Sequence, residues 1–405
     1  MLDEQKPIII IGAGVIGLLL AQALKQSSIA FRIFDRDASI SSRPAGWGLT
    51  VHWALPALEE LLPAALLDQL SRVQVAPEVG RNDTGQFLFL NLENGETLWK
   101  IQPLRRLRVN REKLRGLLAS GVDVQWGKRL EGFATSEEGA GVVHVKFQDG
   151  SRAEGRMLIG ADGATSTLRR LLLGEKGEPR ALPVRFLGTT LSLAPEKWKP
   201  LQDFDPLLFQ GVHPHTGTYL WVSVLNSPEA NGSLGTGAQH YDIQVNLSWS
   251  TEHGTGLEEL GSRRERVAKM KELAGCLEER FRVLVEGISE EDDVVEVKLA
   301  DWPCETWDNH MGRVELIGDA AHAMVMYRGE AANHGILDVR SLLSHLQAEN
   351  RGEGMGAFEE EMRERTVWAV EMSRRACLDA HDFGKLDGGS AILARRTKGI
   401  SGGNQ

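Results

Sequence analysis

The chain has 405 residues, with 46 Lys and Arg against 56 Asp and Glu, for a formal charge of −10. That balance argues against a nucleic-acid partner or an anionic membrane surface, because phosphate-rich partners need a basic face. The 3 cysteines, Cys276, Cys304 and Cys377, are far apart and odd in number, which excludes a disulfide framework and points to a reducing, cytoplasmic setting. No pair of them has zinc-ligand spacing, so no metal site is expected. Asp3 and Glu4 precede the first apolar run, unlike a signal peptide, and no apolar run reaches membrane-span length. The length suits two or three domain-sized units.

Ile8 to Ile11 reads as a strand buried on both faces. Gly12-Ala13-Gly14-Val15-Ile16-Gly17 follows it directly. Gly12 suits a tight turn, Gly14 a close backbone approach to a pyrophosphate, and Gly17 close packing of helix on strand. The helix, Val15 to Gln26, would aim its N-terminal amides at the phosphates. A second strand, Phe31 to Phe34, ends at Asp35, where an acidic residue usually grips a ribose. This pattern predicts a dinucleotide site without choosing the dinucleotide.

Arg111 opens a helix through Leu118. Val142 to Phe147 and Gly155 to Ile159 read as strands joined by a turn at Asp149-Gly150. Gly160-Ala161-Asp162-Gly163 then forms a loop before a short helix, Ser166 to Leu172, carrying Arg169 and Arg170. Val184 to Leu193, Leu207 to His213, Thr218 to Leu225 and Tyr241 to Trp249 read as strands of a different kind. The last alternates apolar and polar residues, as a half-buried antiparallel strand does. Glu258 to Val285 reads as one amphipathic helix, with Val267, Met270, Leu273, Leu277, Phe281 and Leu284 in a stripe. A sheet with a helix behind it would roof a ligand site, and Tyr219 and Trp221 are the candidates to wall it.

Val314 to Ile317 is a further buried strand, ending in Gly318-Asp319-Ala320-Ala321-His322. Tyr327 to Asn333 opens a helix through Gln347, whose N-terminus would aim a positive dipole at an electron-rich ring. Phe358, Met362, Ala369, Met372, Ala376 and Ala380 form a C-terminal helical stripe explained by packing. There is no motif for a serine or cysteine nucleophile and no P-loop. His322 and His334, among the 11 histidines, read as structural.

In order and spacing, these three glycine- and aspartate-bearing segments resemble the FAD-dependent aromatic hydroxylases, the group typified by para-hydroxybenzoate and salicylate hydroxylases, and in particular members from fungal biosynthetic pathways. The resemblance spans residues 7 to 385. It implies an α/β fold: a Rossmann-like FAD-binding domain with an inserted antiparallel-sheet substrate domain and a C-terminal helical segment. The expected bounds are 1–182 and 303–350 for the FAD-binding parts, 183–302 for the substrate domain, and 351–405 for the C-terminal helix and a flexible tail. It implies that Gly12, Gly14, Gly17, Asp35 and Arg36 hold the ADP half of FAD, and that Asp162 and Gly163 lie near the pyrophosphate. Gly318 and Asp319 would meet the ribityl chain. Arg43, Gly46, Arg111, Gly329, Ala331, Ala332 and Asn333 would line the flavin channel. NADPH or NADH would reduce FAD without a nucleotide-binding domain of its own, and oxygen would add to the reduced flavin as a hydroperoxide. The distal oxygen would then pass to an aromatic or alkene-bearing small molecule, a hydroxylation or epoxidation expected to serve secondary-metabolite biosynthesis; the resemblance assigns no catalytic side chain. The chain departs from the family at Ala323, Val325 and Met326, where prolines are common, and at Ala331, where a glycine is. Three rival readings stay open: an FAD oxidase or oxidative cyclase, a non-catalytic flavin-binding protein, and an NAD-dependent dehydrogenase.

Overall fold

Four consecutive β-branched side chains favour an extended backbone with both faces covered, and Ile8–Ile11 is a strand with every side chain buried. It lies at the centre of a five-stranded sheet in the computed structural model, which describes residues 6–42, 46–101, 105–136, 141–252, 258–348 and 351–394. The strand order is Val314–Leu316, Met157–Gly160, Ile8–Ile11, Phe31–Phe34, Val124–Gln125, and each neighbouring pair is parallel. Register then decides where the chemistry goes. Ile11 pairs with both Phe34 and Gly160, and Gly160 pairs with Leu316. The residues just beyond, Gly12, Asp35, Asp162 and Gly318-Asp319, leave the sheet along one edge. That edge carries the carboxyl ends of the strands, where open α/β sheets bind ligands.

The helix Val15–Gln26 packs against the helix Ala331–Gln347. Their approach is close: a Cβ added at Gly335 would lie 2.7 Å from the Ile16 side chain. A three-stranded antiparallel sheet, Leu130–Thr135, Val143–Phe147 and Arg152–Gly155, flanks this layer. The single strand expected from Gly155 to Ile159 is divided at Arg156, whose N–H donates to Pro7 O. Arg152–Gly155 closes the hairpin, and Met157–Gly160 joins the parallel sheet.

The roof is a seven-stranded sheet in the order Val295–Glu296, Val184–Leu193, Tyr241–Ser250, Tyr219–Asn226, Leu208–Val212, Phe87–Asn91, Thr97–Ile101. The last two strands come from within residues 1–182, the span expected to serve the dinucleotide-binding part. They join the roof because Phe89 takes a parallel register with Gln210 and Phe87 packs on Trp221 at 5.6 Å. The chain enters and leaves the inserted strands through an antiparallel ribbon, Arg180–Ala181 with Ala300–Asp301. Arg180 and Arg374 both pair with the buried Asp301 at 2.9 Å.

Two readings of the roof change. Tyr241–Ser250 is not half-buried: it is covered on both faces from Ile243 to Trp249. Ile243, Val245 and Leu247 share a core with the helices behind the sheet. Gln244, Asn246 and Ser248 turn toward the parallel layer, where Gly48 N–H donates to Gln244 Oε1 at 3.2 Å. The helix expected over Glu258 to Val285 is two helices, Arg263–Ala274 and Glu279–Glu286. A Ser262/Glu265 capping box starts the first, Gly275 ends it, and the Glu278 carboxylate caps the second. The apolar stripe survives the break, with Val267, Met270, Leu277, Phe281 and Leu284 buried.

The C-terminal helix Arg351–Asp379 buries Phe358, Met362, Ala369 and Ala376. The tail from residue 395 lies outside the described residues. No helix among the described residues is long and apolar enough to cross a membrane.

Candidate cofactor and substrate site

The glycine loop is built by close approach. Gly12 has φ +109°, and a Cβ there would lie 2.3 Å from Ala161 O. A Cβ on Gly17 would lie 2.0 Å from Gly12 O. Gly14 instead has open space beside it and precedes the helix Val15–Gln26 without a side-chain cap. The first-turn amides of that helix therefore have no side-chain partner, and the positive end of its dipole faces an open cleft. Of the expected residues, Gly12, Gly14, Asp35, Arg36, Arg111, Asp162 and Gly163 line the cleft. Lys128 and Arg129, which the sequence did not flag, line it too. Arg43 lies outside the described residues. Gly46 abuts Arg111: a Cβ on the glycine would lie 3.6 Å from the arginine Cβ.

The acidic residues have definite tasks. Asp35 is buried, and its carboxylate accepts Ala13 N–H at 2.6 Å and Asp37 N–H at 2.8 Å. It shapes the glycine loop while its remaining lone pairs stay open to the cleft. Asp162 turns toward its own following helix, accepting the Ser166 hydroxyl and Thr167 N–H at 2.7 Å. Burial pushes its carboxyl up against those hydrogen bonds. Arg169, fully buried, ties the second segment to the third, donating to Gly177 O at 2.8 Å, Asp319 O at 3.2 Å and Ala320 O at 3.1 Å. Burial lowers its guanidinium to about 10. Gly163, at φ +84°, turns the loop between them.

Asp319 stands at the start of the helical turn Asp319–His322. Burial pushes its carboxyl up, and the charges of His322, Arg111 and Arg169 pull the other way. What holds this turn is Asp338, a residue the sequence reading passed over. Its fully buried carboxylate accepts Gly318 N–H at 2.8 Å, His322 Nε2 at 2.6 Å and Arg365 at 2.8 Å. Burial pushes the Asp338 carboxyl up, but the charges and hydrogen bonds of His322 and Arg365 prevail and hold it well below the usual carboxylate range. His322 thus orders the turn through Asp338.

Ala331 and Ala332 open the helix Ala331–Gln347, half-exposed and without a side-chain cap. The helix start is free because the Glu330 carboxylate is taken by Arg328 at 2.6 Å. Gly329, at φ +64°, makes the preceding turn. Asn333 does not present its side chain to the cleft. It is fully buried and staples the helix to the strand Gly48–Val51, donating to Thr50 O at 3.0 Å and accepting His52 N–H at 2.9 Å.

On the roof, Tyr219 and Trp221 share the face that looks at the parallel layer, opposite Ser248 and Asn246. Trp221 is half-exposed between the layers. Tyr219 is buried, donating to Gln210 Oε1 and packing 5.1 Å from the Tyr327 ring. Trp47, Gly48, Leu49 and Thr50 are also half-exposed although they lie between the two layers, which marks an open space there. Tyr327 is buried in the core beside the sheet, its hydroxyl donating to Ser248 Oγ at 2.9 Å.

The lining of the cleft suits the ADP half of an FAD molecule. Its glycine loop leaves room for a phosphate where Gly14 lacks a Cβ, four basic side chains line it, and Asp35 and Asp162 stand at two of its strand ends. Residues 5–373 match the family described as FAD binding domain. The chain is 44% identical over 352 residues to the FAD-dependent monooxygenase dbaB of Emericella nidulans, covering 86% of this chain and 88% of that protein. It is 39% identical over 412 residues to a probable FAD-dependent monooxygenase of Arthroderma benhamiae, covering 96% and 95%. Among solved structures, 2,6-dihydroxypyridine-3-hydroxylase from Arthrobacter nicotinovorans superposes with a TM-score of 0.76 at 19% identity, covering 96% of each chain.

Proposed function

This chain belongs to the FAD binding domain family and is an FAD-dependent monooxygenase of the fungal secondary-metabolite type, and from that premise we propose that it spends NADPH or NADH and O2 to hydroxylate or epoxidise an aromatic or alkene-bearing small molecule. The observation that supports this reading is the register of the parallel sheet, by which Gly12, Asp35, Asp162 and Asp319 all follow strand ends on one edge.

Residue roles follow from position. The open amides after Gly14, with Arg36, Arg111, Lys128 and Arg129, would hold the phosphates of FAD. Asp35 would bond the adenosine ribose and Asp319 the ribityl chain. The uncapped start of Ala331–Gln347 would favour electron density at the pyrimidine end of the ring. Bound FAD would supply the redox chemistry that activates oxygen, which no side chain here can supply. The protein's part is to orient the organic substrate between the layers and to keep water from it.

The test is oxygen and NADPH consumption by the FAD-loaded protein, with NADH in parallel, across a panel of phenols and polyketide-like aromatics. Substrate-stimulated NADPH oxidation, with one oxygen atom gained by the product, supports the reading. Substrate turnover with peroxide release and no NADPH demand would point to an oxidase or cyclase instead.

A further inference from the structure

Arg108 is a buried cation in the inter-layer space that the cofactor contacts leave without a task. It sits on the strand Leu107–Asn110 opposite Thr50 and is 6% exposed. Its guanidinium donates to Thr50 Oγ1 and to Ser223 Oγ, both at 2.9 Å, and lies 5.7 Å from the Trp221 ring. Its Nε is buried without a hydrogen-bond partner among the described residues. No described carboxylate forms an ion pair with it. The neighbouring Arg106 holds Asp83 through two hydrogen bonds, at 2.7 and 3.0 Å, so that acid is taken. Burial, then the charge of Arg106, lowers the Arg108 guanidinium to about 9, which leaves it cationic at neutral pH.

A buried charge without a counter-charge is costly unless a ligand completes it. Thr50 and Ser223 are neutral hydroxyls: they fix the plane of the guanidinium and cannot neutralise it. The site is built to admit the group, since a Cβ on Gly48 would lie 2.4 Å from Arg108 Nη2. It also borders open space, marked by the half-exposed Trp47, Leu49, Thr50 and Trp221.

We propose that Arg108 anchors an oxyanion of the organic substrate, an ionised phenol or enol or a carboxylate, with Thr50 and Ser223 orienting the guanidinium and Trp221 walling the ring that carries the anion. This names the substrate class for the site described above and rests on that reading. Arg108 acts here as a specificity-determining residue: the anion supplies the counter-charge that Thr50 and Ser223 cannot, and a neutral isostere leaves the cation buried and unpaired.

The experiment is calorimetric titration of FAD-loaded protein, its flavin content checked first by absorbance, with three ligands of similar size: 2-naphthoate, 2,4-dinitro-1-naphthol at a pH where it is ionised, and the neutral 2-naphthamide. The wild type should bind at least one anion about tenfold or more tightly than the amide. A preference for 2-naphthoate alone assigns a carboxylate, for the naphthol alone a phenolate or enolate, and for both the shared oxyanion. Arg108→Gln should erase that preference while leaving the amide within about twofold, and Arg108→Lys should keep part of it. Equal affinities in the wild type, which need no variant to fold, would overturn the proposal, as would failure of both anions to bind. So would an Arg108→Gln protein that loses all three ligands equally, or that loses FAD itself, since Arg108 would then serve the scaffold or the cofactor. A protein that holds no FAD contradicts the preceding reading, whereas a loaded protein without anion preference contradicts only this one.

Discussion

The parallel layer carries its candidate functional residues in loops at strand ends, whereas the roof carries them on the strands themselves. Gly12, Asp35, Asp162 and Asp319 follow strands whose side chains just before the loop are core. Each loop must make a particular turn, so particular residue types are forced: glycine where a Cβ would strike backbone, an acid where backbone N–H groups converge. In the roof, Gln244, Asn246 and Ser248 alternate with core residues and face the neighbouring layer. Nothing local demands those residue types, because their partners come from elsewhere in the chain. Cofactor binding is therefore expected to be brittle toward changes in the first layer and tolerant of changes in the second.

The largest effect should come from Asp338→Ala. It removes the shared partner of Gly318 N–H, His322 and Arg365 at once, and breaking a buried ion pair costs about 3–5 kcal/mol. Chemical denaturation should show that loss, and the FAD content of the purified protein should fall with it. An unchanged midpoint would mean that the network does not hold the Gly318-Asp319 turn.

Gly17→Val comes next. Its Cβ would fall 2.0 Å from Gly12 O, a backbone atom that cannot swing aside, so a cost of about 3 kcal/mol and loss of FAD are expected. Flavin absorbance at full protein recovery reads the outcome, and retention of FAD would break the brittle half of the comparison.

Glu315→Gln sharpens it through pH. Burial, then the charge of Glu359, holds the Glu315 carboxyl well above its ordinary range. The folded state thus binds that proton more tightly than the unfolded chain. The stability it contributes is present below the unfolded value of about 4.5 and is lost as pH rises through the raised folded value. A glutamine cannot ionise, so thermal melts should show the variant gaining steadily on the wild type as pH rises above the unfolded carboxyl's range. A difference independent of pH would contradict the shift.

The smallest effect belongs to the roof. Tyr327→Phe removes the hydrogen bond to Ser248 and should cost about 1 kcal/mol, while FAD content stays at the wild-type level. Loss of FAD in this variant would show that the two layers are not separable in the way described.

The same contrast governs what could be read before folding. The glycine loop, the strand Phe31–Phe34 with its acid, and the third strand with Gly318-Asp319 were legible because local spacing encodes them. So was the long roof strand Tyr241–Ser250, through alternation. Asp338 was not, because its partners lie 20 residues away at Gly318 and 27 away at Arg365 and meet only in the fold. Lys128 and Arg129 were hidden for a related reason: the neighbouring strand Val124–Gln125 joins the sheet edge beside Phe31–Phe34, which nothing near residue 128 announces. The polar face of Tyr241–Ser250 looked solvent-facing because alternation cannot distinguish water from an interior polar interface. The break at Gly275 was masked by a stripe of apolar residues that keeps its spacing across it. Arg108 carries no motif at all. Its significance lies in what is missing around it.

The most direct measurement is the flavin stoichiometry of the purified, FAD-reconstituted protein, set against that of Gly17→Val with folding of both verified by circular dichroism. The account predicts one tightly held flavin per chain in the wild type and none in the variant. A folded wild-type protein that retains no flavin at any FAD concentration, or a variant that retains it fully, would contradict the claim that the strand-end edge is the cofactor site.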